Sequence, residues 1–223
     1  MHRVLVLGAG KIGSLIAGLL EESGDYAVTL ADSRPGAAAE VAAAHHQAGD
    51  GGGIQALDLD ATHLGDLEAA LRSHRIDAVV SSLPYYCNEL VARAARDTGC
   101  HYFDLTEDVR SATAVLGIAS GANTAFAPQC GLAPGFISIA AAELIRHFQS
   151  VRSVKLRVGA LPQHPNNVLK YSLTWSTEGL INEYGNPCLA IADGRLVEAA
   201  PLIDRAFGSV MASFAETLPP TAA

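Results

Sequence analysis

Arg3-Val4-Leu5-Val6-Leu7-Gly8-Ala9-Gly10-Lys11-Ile12-Gly13 is the stretch whose reading decides the fold. A short apolar run of this kind reads as a strand, and the glycines that follow it turn the chain into a helix. Leu15, Ile16, Leu19 and Leu20 then recur at helical spacing. In a strand–turn–helix of this form the first glycine permits the tight turn and the second lets the backbone approach a diphosphate. The third lets the helix pack closely on the strand, with its N-terminus turned toward the anion. Gly8, Gly10, Lys11, Ile12 and Gly13 are therefore the expected phosphate contacts of a dinucleotide.

Working outward, a second apolar run from Tyr26 to Ala31 ends on Asp32. The distance, about 20 residues from the glycine turn, is where an acidic side chain grips a ribose hydroxyl. A carboxylate there repels a 2′-phosphate, so NAD is favoured over NADP, whereas Arg34 offers a guanidinium that suits that phosphate. Ile54 to Leu59 reads as a third strand, with Asp58 reaching the adenine side or capping the next helix, for which Asp60 and Thr62 are also candidate caps. Ile76 to Ser82 is a fourth, closed by Leu83-Pro84, so Ser82 and Leu83 line the nicotinamide end of the pocket. A helix from about Tyr86 to Thr98 follows, then a fifth strand from His101 to Leu105, with Thr106 as a cap and acids behind it. Asp104 and Glu107 flank the carboxyl end of that strand, where a carboxylate can orient a substrate amine. A short strand at Thr124 to Ala127 and a helix to about His147 complete the alternation. The expected architecture is a Rossmann-type doubly wound parallel sheet over residues 1–130.

The texture changes after Gln149. Val151 to Ala160 and Leu169 to Trp175 read as strands, Ser176 to Tyr184 as a short helix, and Leu189 to Glu198 as a hairpin turning at Asp193-Gly194. Residues 131–200 are thus expected to form an incomplete α+β second domain, and 201–223 a divergent tail.

Composition limits the partners. Hydrophobic residues make up 49% of 223 positions and charged ones 17%, a globular mixture. The formal net charge of −8 carries no basic stripe, which argues against nucleic acid and against anionic membrane surfaces. The first expected strand begins at residue 3, too early to leave room for a signal segment, and the apolar stretch Leu132 to Ile145 is broken by Pro134 and Gly135. Four scattered cysteines without CxxC spacing suit a reducing cytoplasm. His45-His46 and His63 lack a third ligand at sensible spacing, so no metal is expected. Cys130 has no activating histidine beside it. None of the six tyrosines is followed four residues later by lysine, which disfavours sugar-nucleotide reductase or epimerase chemistry of the Tyr-Lys type.

Three further motifs carry a resemblance. Tyr102-Phe103-Asp104-Leu105-Thr106-Glu107, Gly131-Leu132-Ala133-Pro134-Gly135 and the run from Lys170 to Tyr184, taken with the glycine turn, resemble the saccharopine dehydrogenase-like oxidoreductases. That group includes lysine 6-dehydrogenases and carboxynorspermidine dehydrogenases. The resemblance extends from residue 3 to about residue 200 and implies an NAD(P)-dependent enzyme acting on a C–N bond of a small-molecule amino-acid amine. It also implies that Lys170, Tyr171, Trp175 and Glu178 form the substrate wall, with Lys170 or a nearby arginine on a carboxylate and Glu178 as base. Asp104 joins them as a catalytic candidate, and a homodimer is the expected assembly. Family members are longer, and here the pattern dissolves after Ala200-Pro201-Leu202. The expectation is a shortened chain that leaves apolar surface uncovered and keeps cofactor binding while turnover suffers. The rival reading is a dinucleotide-binding module without chemistry.

Overall fold

Val4 and Val6 face one side of the first strand, Leu5 and Leu7 the other, and all four are buried. This two-sided burial puts β1 (His2–Leu7) at the centre of a sheet covered on both faces. The computed structural model describes residues 1–46, 53–158 and 187–199, with single positions at 164, 177, 179, 181 and 185. By spatial clustering the chain divides into two compact units, Met1–Val158 and Gly159–Ala223.

In the first unit β1 is joined by β2 (Tyr26–Asp32), β3 (Gln55–Asp58), β4 (Ala78–Ser81), β5 (His101–Asp104) and β6 (Phe126–Ala127). The six strands lie in the order β3-β2-β1-β4-β5-β6, and every pair is parallel. This is the doubly wound order, with its reversal point between β1 and β4. Between the strands run α1 (Lys11–Glu22), α2 (Ala37–His46), α3 (Leu64–Ser73), α4 (Asn88–Thr98) and α5 (Val109–Ala119), and α6 (Phe136–Ile145) follows β6. A single 3₁₀ turn, Tyr85–Cys87, leads into α4.

The core has two halves. Val4, Val6, Val28, Leu30 and Ile54 pack with Ala17 of α1 and Ala37 and Ala38 of α2. Leu5, Leu7, Val79 and Tyr102 pack with Leu67 and Leu71 of α3, Val91 and Ala95 of α4 and Val115 of α5. Alanines dominate the helix faces, which lets α1, α2 and α4 approach the sheet closely. Helices α1 and α2 also pack closely on each other at Gly18, where an added Cβ would lie 2.2 Å from the His45 ring.

Several local expectations are corrected. Thr106 does not cap α5; Asp108 does, its carboxylate accepting from the Ser111 amide at 2.6 Å. Neither Asp60 nor Thr62 caps α3, whose N-cap position is His63 without a side-chain bond. Asp60 instead closes a turn upstream, accepting from the Thr62 amide and hydroxyl, and the Thr62 hydroxyl holds its carboxyl below the usual range. Residues 151–158 form no strand despite their alternation. Alternation prepares a strand for pairing, but a strand exists only where a neighbour supplies the ladder, and none does among the described residues.

In the second unit β7 (Cys188–Ala192) and β8 (Arg195–Ala199) pair antiparallel in the register Ala192↔Arg195. Asp193 and Gly194 turn the chain with φ of 50° and 73°, the conformation that an Asp-Gly hairpin turn supplies.

Candidate dinucleotide site

Parallel register brings the carboxyl ends of five strands level. Leu7 is opposite Ala31 and Ser81, Ser81 is opposite Asp104, and Asp32 is opposite Asp58. The loops that follow therefore share one edge of the sheet, which is where ligands bind in open α/β folds.

The glycine loop is built from this edge. Gly8 has φ of +98°, a conformation that side chains rarely adopt, and its amide donates to the Ala31 carbonyl at 2.8 Å. The Ser82 hydroxyl donates to the Leu7 carbonyl at 2.8 Å, with the Gly8 carbonyl at 3.2 Å, and so ties β4 to the loop. On the protein side there is no room: a Cβ on Gly13 would sit 1.8 Å from the Gly8 carbonyl oxygen and 2.5 Å from the Ser82 hydroxyl. On the outer side a Cβ at Gly10 would meet nothing within 4 Å. Helix α1 starts on Gly10 with no side-chain cap and no acid in its first turn. A helix N-terminus presented in this way, behind an open glycine, fits the diphosphate of a dinucleotide. Lys11 and Ile12 are exposed at that mouth, while Leu83 is half-buried and would touch a Cβ on Gly8 at 3.3 Å.

Asp32 works on the loop as well as at its edge. One carboxylate oxygen accepts from the Ala9 amide at 2.7 Å and the other from the Arg34 amide at 2.8 Å. Each oxygen keeps acceptor capacity for a further donor such as a ribose hydroxyl. Asp58 accepts from the Gly36 amide at 2.9 Å, so it braces the loop between β2 and α2 instead of capping α3. The Arg34 side chain is exposed beside them.

On the other side of the reversal point the polar residues are more deeply set. Asp104 is fully buried, and one of its oxygens accepts from the Tyr102 hydroxyl at 2.6 Å. The other accepts from the Thr106 and Gln129 amides, both at 3.0 Å. The Gln129 residue has φ of 64°, and the next amide, Cys130, donates to the Asp104 carbonyl at 2.8 Å. Asp104 thereby fixes the loop after β5 and the loop after β6 to each other. Burial, then the charge of Asp104 and the hydrogen bond to it, push the Tyr102 hydroxyl far above its ordinary range. Burial and the Asp104 charge also raise the Cys130 thiol, which keeps it from being a ready nucleophile.

Lys170, Tyr171, Trp175 and Glu178 lie outside the described residues. The sequence reading missed the Asp104–Gln129 and Asp58–Gly36 braces and the buried Ser81–Asn88 hydrogen bond at 2.7 Å. The signal for Ser81 was a polar residue ending an apolar strand, but its partner is set by the way α4 packs. A cleft of about 750 Å³, lined by Arg3, Tyr26, Gln55 and His74, lies at the opposite, amino-terminal edge of the sheet. That edge carries none of the loops that hold ligands in this architecture. Among the described residues no group of three or more His, Cys, Asp or Glu could hold a metal, and no helix is long and apolar enough to cross a membrane.

Comparison with known proteins accords with this geometry. The chain is 24% identical over 203 residues to the mitochondrial alpha-aminoadipic semialdehyde synthase of Mus musculus, covering 87% of this chain and 21% of that protein. Its fold superposes on the apo saccharopine dehydrogenase (L-Glu forming) of Saccharomyces cerevisiae with a TM-score of 0.67 and 21% identity, covering 92% of this chain and 46% of the yeast one. The chain thus spans less than half the length of either relative. Residues 4–130 match the saccharopine dehydrogenase NADP binding domain, and residues 131–218 match the saccharopine dehydrogenase C-terminal domain. The dinucleotide loop, the doubly wound sheet that carries it and these two consecutive matches lead to one conclusion: the chain belongs to the saccharopine dehydrogenase family.

Proposed function

We propose that this chain is an NAD(P)-dependent oxidoreductase acting on a C–N bond of an amino-acid substrate, of the saccharopine or lysine dehydrogenase type. The observation that carries the reading is the glycine loop, closed against Ser82 at Gly13 and open at Gly10, within a match to a dinucleotide-binding domain. When bound, the nicotinamide cofactor supplies hydride acceptance or donation at the carbon bearing nitrogen.

The chain's own residues bind and orient. The α1 N-terminus and the amides of the glycine loop hold the diphosphate. Asp32 accepts from the adenosine ribose, and Ser82 and Leu83 border the nicotinamide half. Asp104 is a positioning residue that holds the two loops at the substrate end. Lys170, Tyr171 and Glu178 stand in this reading as the substrate wall, Lys170 pairing a carboxylate and Glu178 taking a proton from the amine. The reading divides the chain at residues 130 and 131 and ends the second domain near residue 200. It also includes a cytoplasmic location and a second copy as partner. NAD is favoured because Asp32 and Asp58 set two carboxylates beside the adenosine sugar, where a 2′-phosphate would be repelled.

The test has two arms. Titration with NADH and NADPH, followed by nucleotide fluorescence, is expected to show binding of both, NADH the more tightly by about threefold or more, roughly 0.6 kcal/mol. Absorbance change with lysine or saccharopine and NAD⁺ then reads turnover. Binding without turnover would instead establish a cofactor-binding module. Absence of nucleotide binding in folded protein defeats both.

A further inference from the structure

The loop after β5 carries three carboxylates within five residues, Asp104, Glu107 and Asp108. Two of them have visible structural work. Asp104 ties Tyr102, Thr106 and Gln129 together, and Asp108 caps α5. Glu107 does not: one of its carboxylate oxygens, Oε1, is shut away from solvent and has no hydrogen-bond partner. Leaving a buried acceptor unmade costs about 1–3 kcal/mol, more when it is charged. The backbone on either side is pinned, since the Thr106 amide donates to Asp104 and the Asp108 amide donates to the Thr106 hydroxyl oxygen. Glu107 is thus held in a fixed loop at the carboxyl edge, on the far side of the reversal point from Asp32, with an acceptor that the protein itself leaves unused.

We propose that Glu107 is a catalytic residue for the reaction above, accepting a hydrogen bond from the nitrogen of the substrate amine. The inference rests on that reading of the site. The edge between β1 and β5 takes the nicotinamide half of a dinucleotide in this strand order. With Asp104 and Asp108 beside it, Glu107 disfavours a phosphate or a carboxylate there and favours a donor that is neutral or positively charged. An ammonium or secondary amine on the carbon to be oxidised meets both requirements, having N–H donors and, when protonated, the complementary charge. The substrate class is therefore an amino acid that presents its reacting nitrogen to Glu107.

Glu107→Gln keeps the shape and removes the charge, and three measurements on the full chain test the assignment. Unfolding of the cofactor-free protein is expected at a temperature about 2–4 °C higher, because the unmet Oε1 acceptor of half-buried Glu107 no longer belongs to a carboxylate. NADH affinity, by nucleotide fluorescence, is expected to stay within about twofold of wild type. Calorimetric titration of L-lysine and of saccharopine into the protein–cofactor complex is expected to show affinity reduced by about tenfold or more. Equal amine affinity in wild type and variant overturns the inference, as does a wild type that binds the dinucleotide but neither amine. A parallel loss of NADH affinity assigns Glu107 to the cofactor, and a lowered unfolding temperature assigns it to the fold; either overturns it. No dinucleotide binding by the wild type sinks the proposed function itself. Dinucleotide binding with amine binding indifferent to E107Q sinks this inference alone.

Discussion

Gly13 and Gly10 occupy the same motif and answer to different physics. At Gly13 an added methyl collides with backbone, the Gly8 carbonyl at 1.8 Å, so neither partner has a soft way out. Gly13→Ala is expected to cost about 3 kcal/mol or more, read as a large drop in unfolding temperature. Gly10→Ala meets no protein atom within 4 Å and has ordinary backbone angles. Its unfolding temperature is expected to stay within about 2 °C of wild type while NADH affinity falls by about tenfold, since the methyl occupies the diphosphate's space. Equal effects of the two substitutions on stability would contradict the site. Tyr102 gives a prediction in pH. Its hydroxyl stays protonated in the fold well past the ordinary value of 10.0. In the unfolded chain it ionises near that value, so its contribution to stability is complete below about pH 10 and is lost as the pH rises beyond it. Tyr102→Phe should flatten the alkaline fall of the unfolding temperature. At neutral pH it should cost about 1–3 kcal/mol, because Asp104 loses a donor in a buried site.

At the scale of elements, most of the sheet was legible because buried parallel strands are written as contiguous apolar runs between glycine and helix signals. Strands β2, β4 and β5 fall within the runs that begin at Tyr26, Ile76 and His101. Helix starts were read less well. The stretch Thr106-Glu107-Asp108 offers several capping side chains, and local sequence does not say which has helical residues behind it. Asp108 wins because Thr106 is already engaged by Asp104 and by the Asp108 amide. Asp108→Ala is expected to lower stability by about 1–2 kcal/mol, measured by chemical denaturation, whereas Thr106→Val should act on the loop and leave the α5 cap intact. Residues 151–158 show the opposite failure, a strand pattern without a strand. The hairpin of β7 and β8 was legible in full, since two-residue turns with positive φ are dictated by residue type.

Across the whole molecule, the surface of the second half of the first unit is unusually apolar. Leu132, Phe136, Ile139, Leu144 and Phe148 are each more than half exposed, and α6 buries none of its residues. Exposed apolar area on this scale drives association or dye binding in water. The chain is expected to bind a hydrophobic dye and to self-associate as concentration rises, by light scattering. Ile139→Glu with Phe136→Asp should reduce both while changing the unfolding temperature by little, because neither side chain is buried. A double variant that scatters as strongly as wild type would place the sticky surface elsewhere.

The sequence by itself determined the strand order's starting point, the dinucleotide loop and its acidic partner, because these depend on neighbours within one strand–turn–helix and on residue types that tolerate a single geometry. Family membership was also legible, in motifs that a generic dinucleotide fold does not need. Only the tertiary structure decided what Asp58, Asp104 and Glu107 do. Each ends or follows a strand and reads alike in one dimension. Packing gives the first the Gly36 amide, the second Tyr102, Thr106 and Gln129, and the third no partner for Oε1. The difference arises because hydrogen-bond satisfaction is settled by segments distant in sequence, and a buried carboxylate's role follows from which of them arrive.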